Sequence, residues 1–300
     1  MEVILVSMSV CSSCNKNIDD DSVYCKYCGK KVLESITFEF SKEKLRDIFF
    51  KVEDTLFRNS KYTKEEFEIN FAYFRNYKTY EQMNLNDNEY YTMLVDIIFY
   101  SGFRASVVSR KIDIIHSYFS NYEIVKKYSS EDIEKICNDS KMIKNRLKIE
   151  ACIKNAKRFK EIVNKYGSFK EYIDFHSPDL SEDALYNFKR NLEKNFSYIG
   201  GITSYHFMTD IGLNVLKPDR VILRIFERLG LIEYRNDYIG AIKAGRAFSQ
   251  ATELSIRYID IIFVLYGQLD NDDIMTICSE QNPKCDICGV NHVCNYHKQN

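Results

Sequence analysis

Four cysteines close the chain within seventeen residues, and they constrain the fold more than any other feature. Cys278, Cys285, Cys288 and Cys294 stand as Cys-x6-Cys-x2-Cys-x5-Cys, with Pro283 in the loop. Thiolates this close together can wrap one metal centre. Zinc takes four thiolates, usually from two separated Cys-x2-Cys knuckles. Only one such knuckle is present here, flanked by two lone cysteines. That compact, asymmetric loop suits a cuboidal [4Fe–4S] cluster, which also takes four thiolates. A structural zinc loop is the alternative.

A second group lies near the start. Cys11, Cys14, Cys25 and Cys28 form Cys-x2-Cys-x10-Cys-x2-Cys, followed by Gly29. Two knuckles joined by a short hairpin give the tetrahedral sulfur set that Zn2+ prefers. This spacing is that of a short zinc ribbon, expected over residues 1–34. Such a ribbon has almost no core, so the metal must supply its folding energy. Its partner is not legible: nucleic acid, protein or a simple cap all fit.

Of the ten cysteines, only Cys137 and Cys152 fall outside these groups. Both sit in helical patterns and read as small buried residues. Free thiolates imply a reducing compartment. The opening MEVILVSMSV has no basic segment before its apolar residues. No apolar run reaches the ~18–20 residues of a membrane span. The expectation is a cytoplasmic protein, and one associated with the nucleoid if it binds DNA.

The rest of the chain reads as helix after helix. Tyr (22) and Phe (20) are abundant, Pro (3) is rare and Trp is absent, a composition that favours long helices. Residues 35–89 read as one or two helices and a connector. Leu45, Ile48, Phe49, Val52 and Leu56 share one helical face there. From Tyr90, YYTMLVDIIFYSGF is apolar almost all round and reads as a central buried helix. RASVVSRKIDIIHSYF is amphipathic. Ser129–Ser130 opens a helix with first-turn carboxylates, and Gly167 closes the long helix before it.

SYIGGI then joins two helices. Its glycines permit a sharp turn, and the following helix start offers backbone N–H groups to a phosphate. Ile199, Gly200, Gly201, Ile202 and Thr203 are therefore candidate phosphate contacts. Seventeen residues after Ile202 comes Asp219, in Lys-Pro-Asp-Arg. Pro218 favours a helix start, so an N-cap is the plain reading of Asp219.

These three features in this order resemble the helix–hairpin–helix superfamily of DNA glycosylases, the endonuclease III superfamily, over roughly residues 90–298. DRVILRIFERLGL resembles the family's helix after the catalytic Asp. YIGGITSYHFMTDIGL and MIKNRLKIEACIKNAKRF resemble helices of the 3-methyladenine glycosylase I branch. The resemblance implies an all-α fold of two helical domains. One is a six-helix domain over 90–218 with the hairpin. The other spans 219–300 with the iron–sulfur loop and is completed by 35–89.

The resemblance also implies a mechanism. A glycosylase extrudes its target nucleotide, because the glycosidic bond is inaccessible inside a duplex. Asp219 matches the carboxylate that stabilises the oxocarbenium-like sugar or activates water. Many members carry a Schiff-base Lys after the hairpin. The matching position here is Ile202 or Thr203, which implies a monofunctional enzyme without lyase chemistry. The 3-methyladenine branch has an acidic base-reading residue where Ile97 stands, beside Asp96. That branch also has its own zinc site and lacks both an iron–sulfur loop and a counterpart of Asp219.

The expected activity is excision of an alkylated or otherwise modified base from double-stranded DNA, in repair or in defence against modified DNA. A thymine or uracil mismatch glycosylase is the alternative, as is a non-catalytic DNA-binding adaptor. Tyr91, Tyr100, Phe103, Tyr205 and His206 are candidates for the base pocket, with Phe99 as a further stacking aromatic. The net charge is −1, so attraction to DNA must be local. Lys144, Arg146 and Lys148, in a basic run over 141–160, are the candidate phosphate contacts.

Overall fold

The computed structural model describes residues 8–10, 14, 16–19, 40–70, 85–177, 181–268 and 274–299. Its contacts divide the chain into two units: Met1–Tyr80 together with Asn214–Asn300, and Glu81–Leu213. The second falls in the middle of the chain, so the first is discontinuous.

The middle unit is wholly helical among the described residues. Its first helix, α3 (Asp87–Tyr100), starts at a capping box. Asn86 Oδ1 accepts from Glu89 N at 3.1 Å, and Glu89 Oε2 accepts from Asn86 N at 2.7 Å. The all-round apolar pattern of α3 has its expected result: Tyr90, Leu94, Val95, Ile97 and Ile98 are all buried. The amphipathic stretch after it forms two helices, α4 (Ala105–Ser109) and α5 (Ile112–Phe119). They part at Arg110–Lys111, where Lys111 N turns back to Val108 O at 2.8 Å. Short α6 (Tyr122–Val125) follows, then α7 (Ser130–Asn138), which Ser129 caps.

The long α8 (Arg146–Tyr166) packs against α3, α6 and α7, and against α9 (Phe169–His176). Gly167 ends it at φ 95°, a backbone conformation that favours glycine. A stacked pair, Phe159 and Phe169, lies at the core with centroids 4.4 Å apart. Tyr91 belongs to this cluster. Its ring packs on Phe159 at 5.7 Å, and its hydroxyl donates to Cys152 O at 2.9 Å. Phe99 is buried against Phe119. Tyr91 and Phe99 are therefore core residues and not base-stacking ones, because both are fully buried. The unit closes with α10 (Glu182–Asn195) and α11 (Ile202–Asp210), joined by the hairpin.

The discontinuous unit begins with an antiparallel pair, β1 (Met8–Val10) and β2 (Asn17–Asp19), in the register Met8↔Asp19 and Val10↔Asn17. Cys14 lies in the connection between these strands. Cys11, Cys25 and Cys28 are outside the described residues, and so is the expected zinc site. Next come α1 (Lys42–Arg58) and α2 (Lys64–Asn70). Among the described residues, the unit's other α-helices come from the far end of the chain: α12 (Arg220–Arg228), α13 (Tyr238–Thr252), α14 (Ile256–Gln268) and short α15 (Asn295–Gln299).

The apolar face of α1 is the one its periodicity marks. Leu45, Ile48, Phe49, Val52 and Leu56 are at most 2% exposed. Phe49 meets Phe263 at 6.0 Å, and Phe263 meets Phe226 and Phe248 at 5.1 Å each. Aromatic contacts at these spacings add to simple area burial. Glu53 is buried among them, held by Lys64 Nζ at 2.6 Å and by the Tyr258 hydroxyl.

The division differs from the boundaries expected at 89 and 218. It falls after Tyr80, ahead of the capping box of α3, and after Leu213. Asn214–Pro218 go with Asp219 because α13 holds them. Arg246 Nε donates to Asn214 O at 2.8 Å, and Leu216 lies so close to Gly245 that a Cβ there would sit 2.8 Å from its own.

Candidate functional site

Asp219 is the N-cap of α12. Its Oδ1 accepts from Val221 N at 2.9 Å and Ile222 N at 3.1 Å, while Oδ2 lies 3.6 Å from Lys217 Nζ. Pro218 and Leu216 before it are buried. The carboxylate is thus fixed from both sides, with one oxygen committed to the helix and the other beside a lysine. Its side chain remains 18% exposed, so it is accessible.

In the other unit the hairpin turns on two residues of positive φ, Tyr198 (65°) and Gly201 (53°). Gly201 tolerates this conformation because it has no Cβ. Asn155 of α8 pins the entry to the turn. It donates to Ser197 O at 3.0 Å and accepts from Ser197 N at 2.8 Å, pairing the backbone as a strand would.

Two hairpin amides are used internally. Gly200 N donates to Thr203 Oγ1, and Gly201 N donates to Glu193 Oε1, each at 2.8 Å. Glu193 in turn meets Lys189 Nζ at 3.0 Å and Ser204 Oγ at 3.2 Å. A carboxylate already sits at this helix start. An incoming phosphate would share the N–H groups with Glu193, a feature the glycine pattern alone does not reveal.

The basic run divides into three kinds of residue. Lys148 is 4% exposed, and its Nζ donates to Ile98 O and to Ser101 O, the latter at 2.6 Å. The Phe103 and Tyr198 rings lie 5.2 and 5.0 Å from the same ammonium. Burial pushes the pKa of Lys148 down. It is therefore a structural cation that closes the end of α3, and the expectation that it contacts a phosphate is corrected. Arg146 is exposed but paired, with Glu134 at 2.6 Å and Glu150 at 2.9 Å. Lys144 is exposed.

The remaining pocket candidates, Tyr100, Phe103, Tyr205 and His206, have separate partners. Tyr100 and Ser109 share a hydrogen bond of 2.9 Å. Phe103 is 37% exposed, and Tyr198, which the sequence did not single out, is 40% exposed; both rings flank Lys148. Tyr205 is buried beneath Lys189, whose Nζ is 5.2 Å from its ring. His206 faces Asp210 at 3.1 Å. A further pair, Asp96 Oδ1 and His116 Nε2, meets at 2.7 Å between α3 and α5. The hydrogen bond from Asp96 raises the His116 pKa above the usual histidine value.

The closing cysteines do come together. Cys278, Cys285, Cys288 and Cys294 line one small cavity with Arg228, Pro283 and Tyr296. Successive turns of 3-10 type return every third residue to the same side. Cys288 N bonds Cys285 O, Asn291 N bonds Cys288 O, and Cys294 N bonds Asn291 O. Among the described residues no three such side chains converge closely enough to hold a single ion. The sulfurs line the walls of a shared space instead.

Donors already point at two of them. Arg228 Nη1 donates to Cys278 Sγ at 3.2 Å, and the Tyr266 hydroxyl donates to Cys288 Sγ at 3.1 Å. Burial, followed by the adjacent Cys288, pushes the Tyr266 pKa far above the usual phenol range, so it stays a donor. The knuckle rests on α1. Gly289 N donates to Thr55 Oγ1 at 3.1 Å, and a Cβ on Gly289 would fall 2.4 Å from that oxygen.

Residues 68–191 match the family model described as Methyladenine glycosylase. The fold is that of the helical DNA glycosylases. A thermostable thymine-DNA glycosylase is similar over 87% of this chain and 100% of its own, with 15% identity and a TM-score of 0.53. The Staphylococcus aureus 3-methyladenine DNA glycosylase I has 19% identity over 46% of this chain and 84% of its own, with a TM-score of 0.40. The Methanocaldococcus jannaschii 8-oxoguanine DNA glycosylase has 18% identity over 73% of this chain and 92% of its own, with a TM-score of 0.44. Family match and fold together support a DNA N-glycosylase that excises modified bases. No described helix is long and apolar enough to cross a membrane.

Proposed function

We propose that the protein is a monofunctional DNA glycosylase of the helix–hairpin–helix superfamily, acting on an alkylated or otherwise modified base in duplex DNA. The observation that carries this is Asp219, a partly exposed carboxylate clamped at the start of α12 between two amides and Lys217. In the reaction the N-glycosidic bond breaks and its electron pair leaves with the base. A water oxygen bonds to C1′, and Asp219 stabilises the cationic sugar or takes the water's proton, while the departing base gains a proton. Neither Ile202 nor Thr203 can form a Schiff base, which favours hydrolysis over strand cleavage. The hairpin and Lys144 supply the grip on phosphate.

The cysteine loop fits a [4Fe–4S] cluster. Thiolates spread around a common cavity suit a centre of several irons, and the donors from Arg228 and Tyr266 favour sulfur in its anionic form. Arg228, which lines the cavity, has its Nε buried without a hydrogen-bond partner, a donor that an anionic group would satisfy. Cys278, Cys285, Cys288 and Cys294 would hold the cluster, a structural staple of the loop rather than a reactant toward the base. The Cys11, Cys14, Cys25 and Cys28 group is proposed to hold Zn2+ in a ribbon.

The test is mass-spectrometric detection of free base released from a panel of duplexes carrying alkylated bases, oxidised bases, and thymine or uracil opposite guanine. Release of an alkylated base that Asp219→Asn abolishes is the expected outcome. Release only from the mismatches would shift the reading to a mismatch glycosylase. Duplex binding without any release would leave a DNA-binding adaptor.

A further inference from the structure

Nine-residue α12 carries Asp219 at one end and grips the cysteine loop from the other. Arg224 and Arg228 make that grip. Arg224 Nη2 donates to Gly267 O at 2.6 Å and to Cys278 O at 3.0 Å, and its Nη1 meets Glu280 Oε2 at 2.9 Å. Arg228 Nη1 reaches both Cys278 Sγ and Ser279 O, the latter at 2.8 Å, and its Nη2 donates to Glu280 O at 3.1 Å. The two side chains are 4% and 5% exposed.

Buried guanidiniums are costly. A core that needed only packing at these positions would be as well served by leucine or methionine. Both forks instead converge on one short segment, Cys278–Glu280, which begins with the first thiol of the cavity; Arg224 ties it also to Gly267 O. A helix of nine residues is stiff over roughly 14 Å. Seating the loop therefore fixes the rotation and height of the helix whose first turn holds the carboxylate.

We propose that Arg224 and Arg228 are positioning residues, coupling metal seated in the cysteine cavity to the placement of Asp219. This rests on the glycosylase reading and adds to it: the loop governs the chemical step through α12. Loss of the metal leaves Cys278–Glu280 without its anchor, α12 loosens, and the cap at Asp219 opens. Base excision then slows, with duplex affinity unchanged.

The cap gives a readout independent of activity, because the Val221 and Ile222 amides are protected by Asp219. Hydrogen–deuterium exchange is measured on the full chain as purified with its metal, on the same protein anaerobically stripped of metal, and on Arg228→Lys. The lysine keeps the charge and removes the fork. Amides of α8 and α14 report global unfolding. The expected result is about tenfold faster exchange at Val221 and Ile222 in stripped protein, with α8 and α14 unaffected. Arg228→Lys, with full metal content, gives a smaller increase and slower single-turnover excision at unchanged duplex affinity.

Unchanged exchange at these two amides in stripped protein overturns the proposal. Where stripping also deprotects α14, Arg228→Lys decides: faster cap exchange at full metal content supports the coupling, and wild-type exchange overturns it. Absence of base release by the wild-type protein would refute the glycosylase reading and leave the exchange result to be judged by itself.

Discussion

Lys148 Nζ lies 2.6 Å from the carbonyl oxygen of Ser101, the C-cap of α3, and so plugs the negative end of that helix with a buried cation. Lys148→Met keeps the aliphatic volume but strands two carbonyls, those of Ile98 and Ser101. The expected loss is about 1–3 kcal/mol in urea unfolding. The salt dependence of duplex binding is expected to stay as it is. Lys144→Gln should do the reverse, lowering the salt slope by about one with no change in stability. A salt slope that falls in Lys148→Met would put Lys148 back on the phosphate.

Asp219 serves two purposes that two substitutions separate. Asparagine caps a helix about as well as aspartate, so Asp219→Asn should unfold at the wild-type denaturant concentration. Asp219→Ala should lose about 1 kcal/mol. Both should lower single-turnover base release by about a hundredfold or more while retaining duplex affinity. If only the alanine variant loses activity, the carboxylate is a cap and nothing else.

The metal assignment is open to direct measurement. Protein purified without air should be brown, absorb broadly in the visible, and carry iron bound at the closing loop. Cys288→Ser should lose that absorption, and with it the sulfur that accepts from Tyr266. Colourless protein that contains zinc at both cysteine groups and no iron would refute the cluster.

The Asp96–His116 contact predicts a pH dependence confined to the middle unit. The folded-state pKa of His116 is raised by its hydrogen bond to Asp96, and Asp113 adds to the shift. A raised histidine contributes stability that is fully present below its unfolded pKa of ~6.5 and is lost as pH rises through the folded value. The difference in Tm between wild type and His116→Gln should therefore be largest near pH 5.5 and shrink towards pH 8.5. A difference that grows with pH would show that the pair does not form.

Local signals were the ones that could be read in advance. Ser129, Gly167 and Asp219 cap helices as their residue types demand. The face of α1 and the convergence of the last four cysteines on one cavity follow from spacing alone. Pairings across the chain were hidden. Arg146 meets Glu134 from a different helix, and Glu193 reaches the Gly201 amide from the preceding one. Lys148 was misread for a different reason. It stands three, four and seven residues before Ala151, Cys152 and Asn155, so it lies on the buried face of α8. The charge of its neighbours concealed that periodicity. The base pocket was least legible, since aromatic residues at helical spacing look the same whether they line a core or a site.

The Gly289–Thr55 bond joins residues 234 positions apart, and it governs how the chain is made. During synthesis α1 emerges early, with Ile48, Phe49, Val52 and Leu56 facing water. The contiguous stretch 81–213 can complete its own core as translation proceeds. The first helix has to wait for α13 and α14, because its partners lie in the final third of the message. Any premature stop before α13 leaves that apolar face bare, a ready mark for chaperones and proteases. The cell can thus discard a protein that could otherwise reach DNA with half of itself missing.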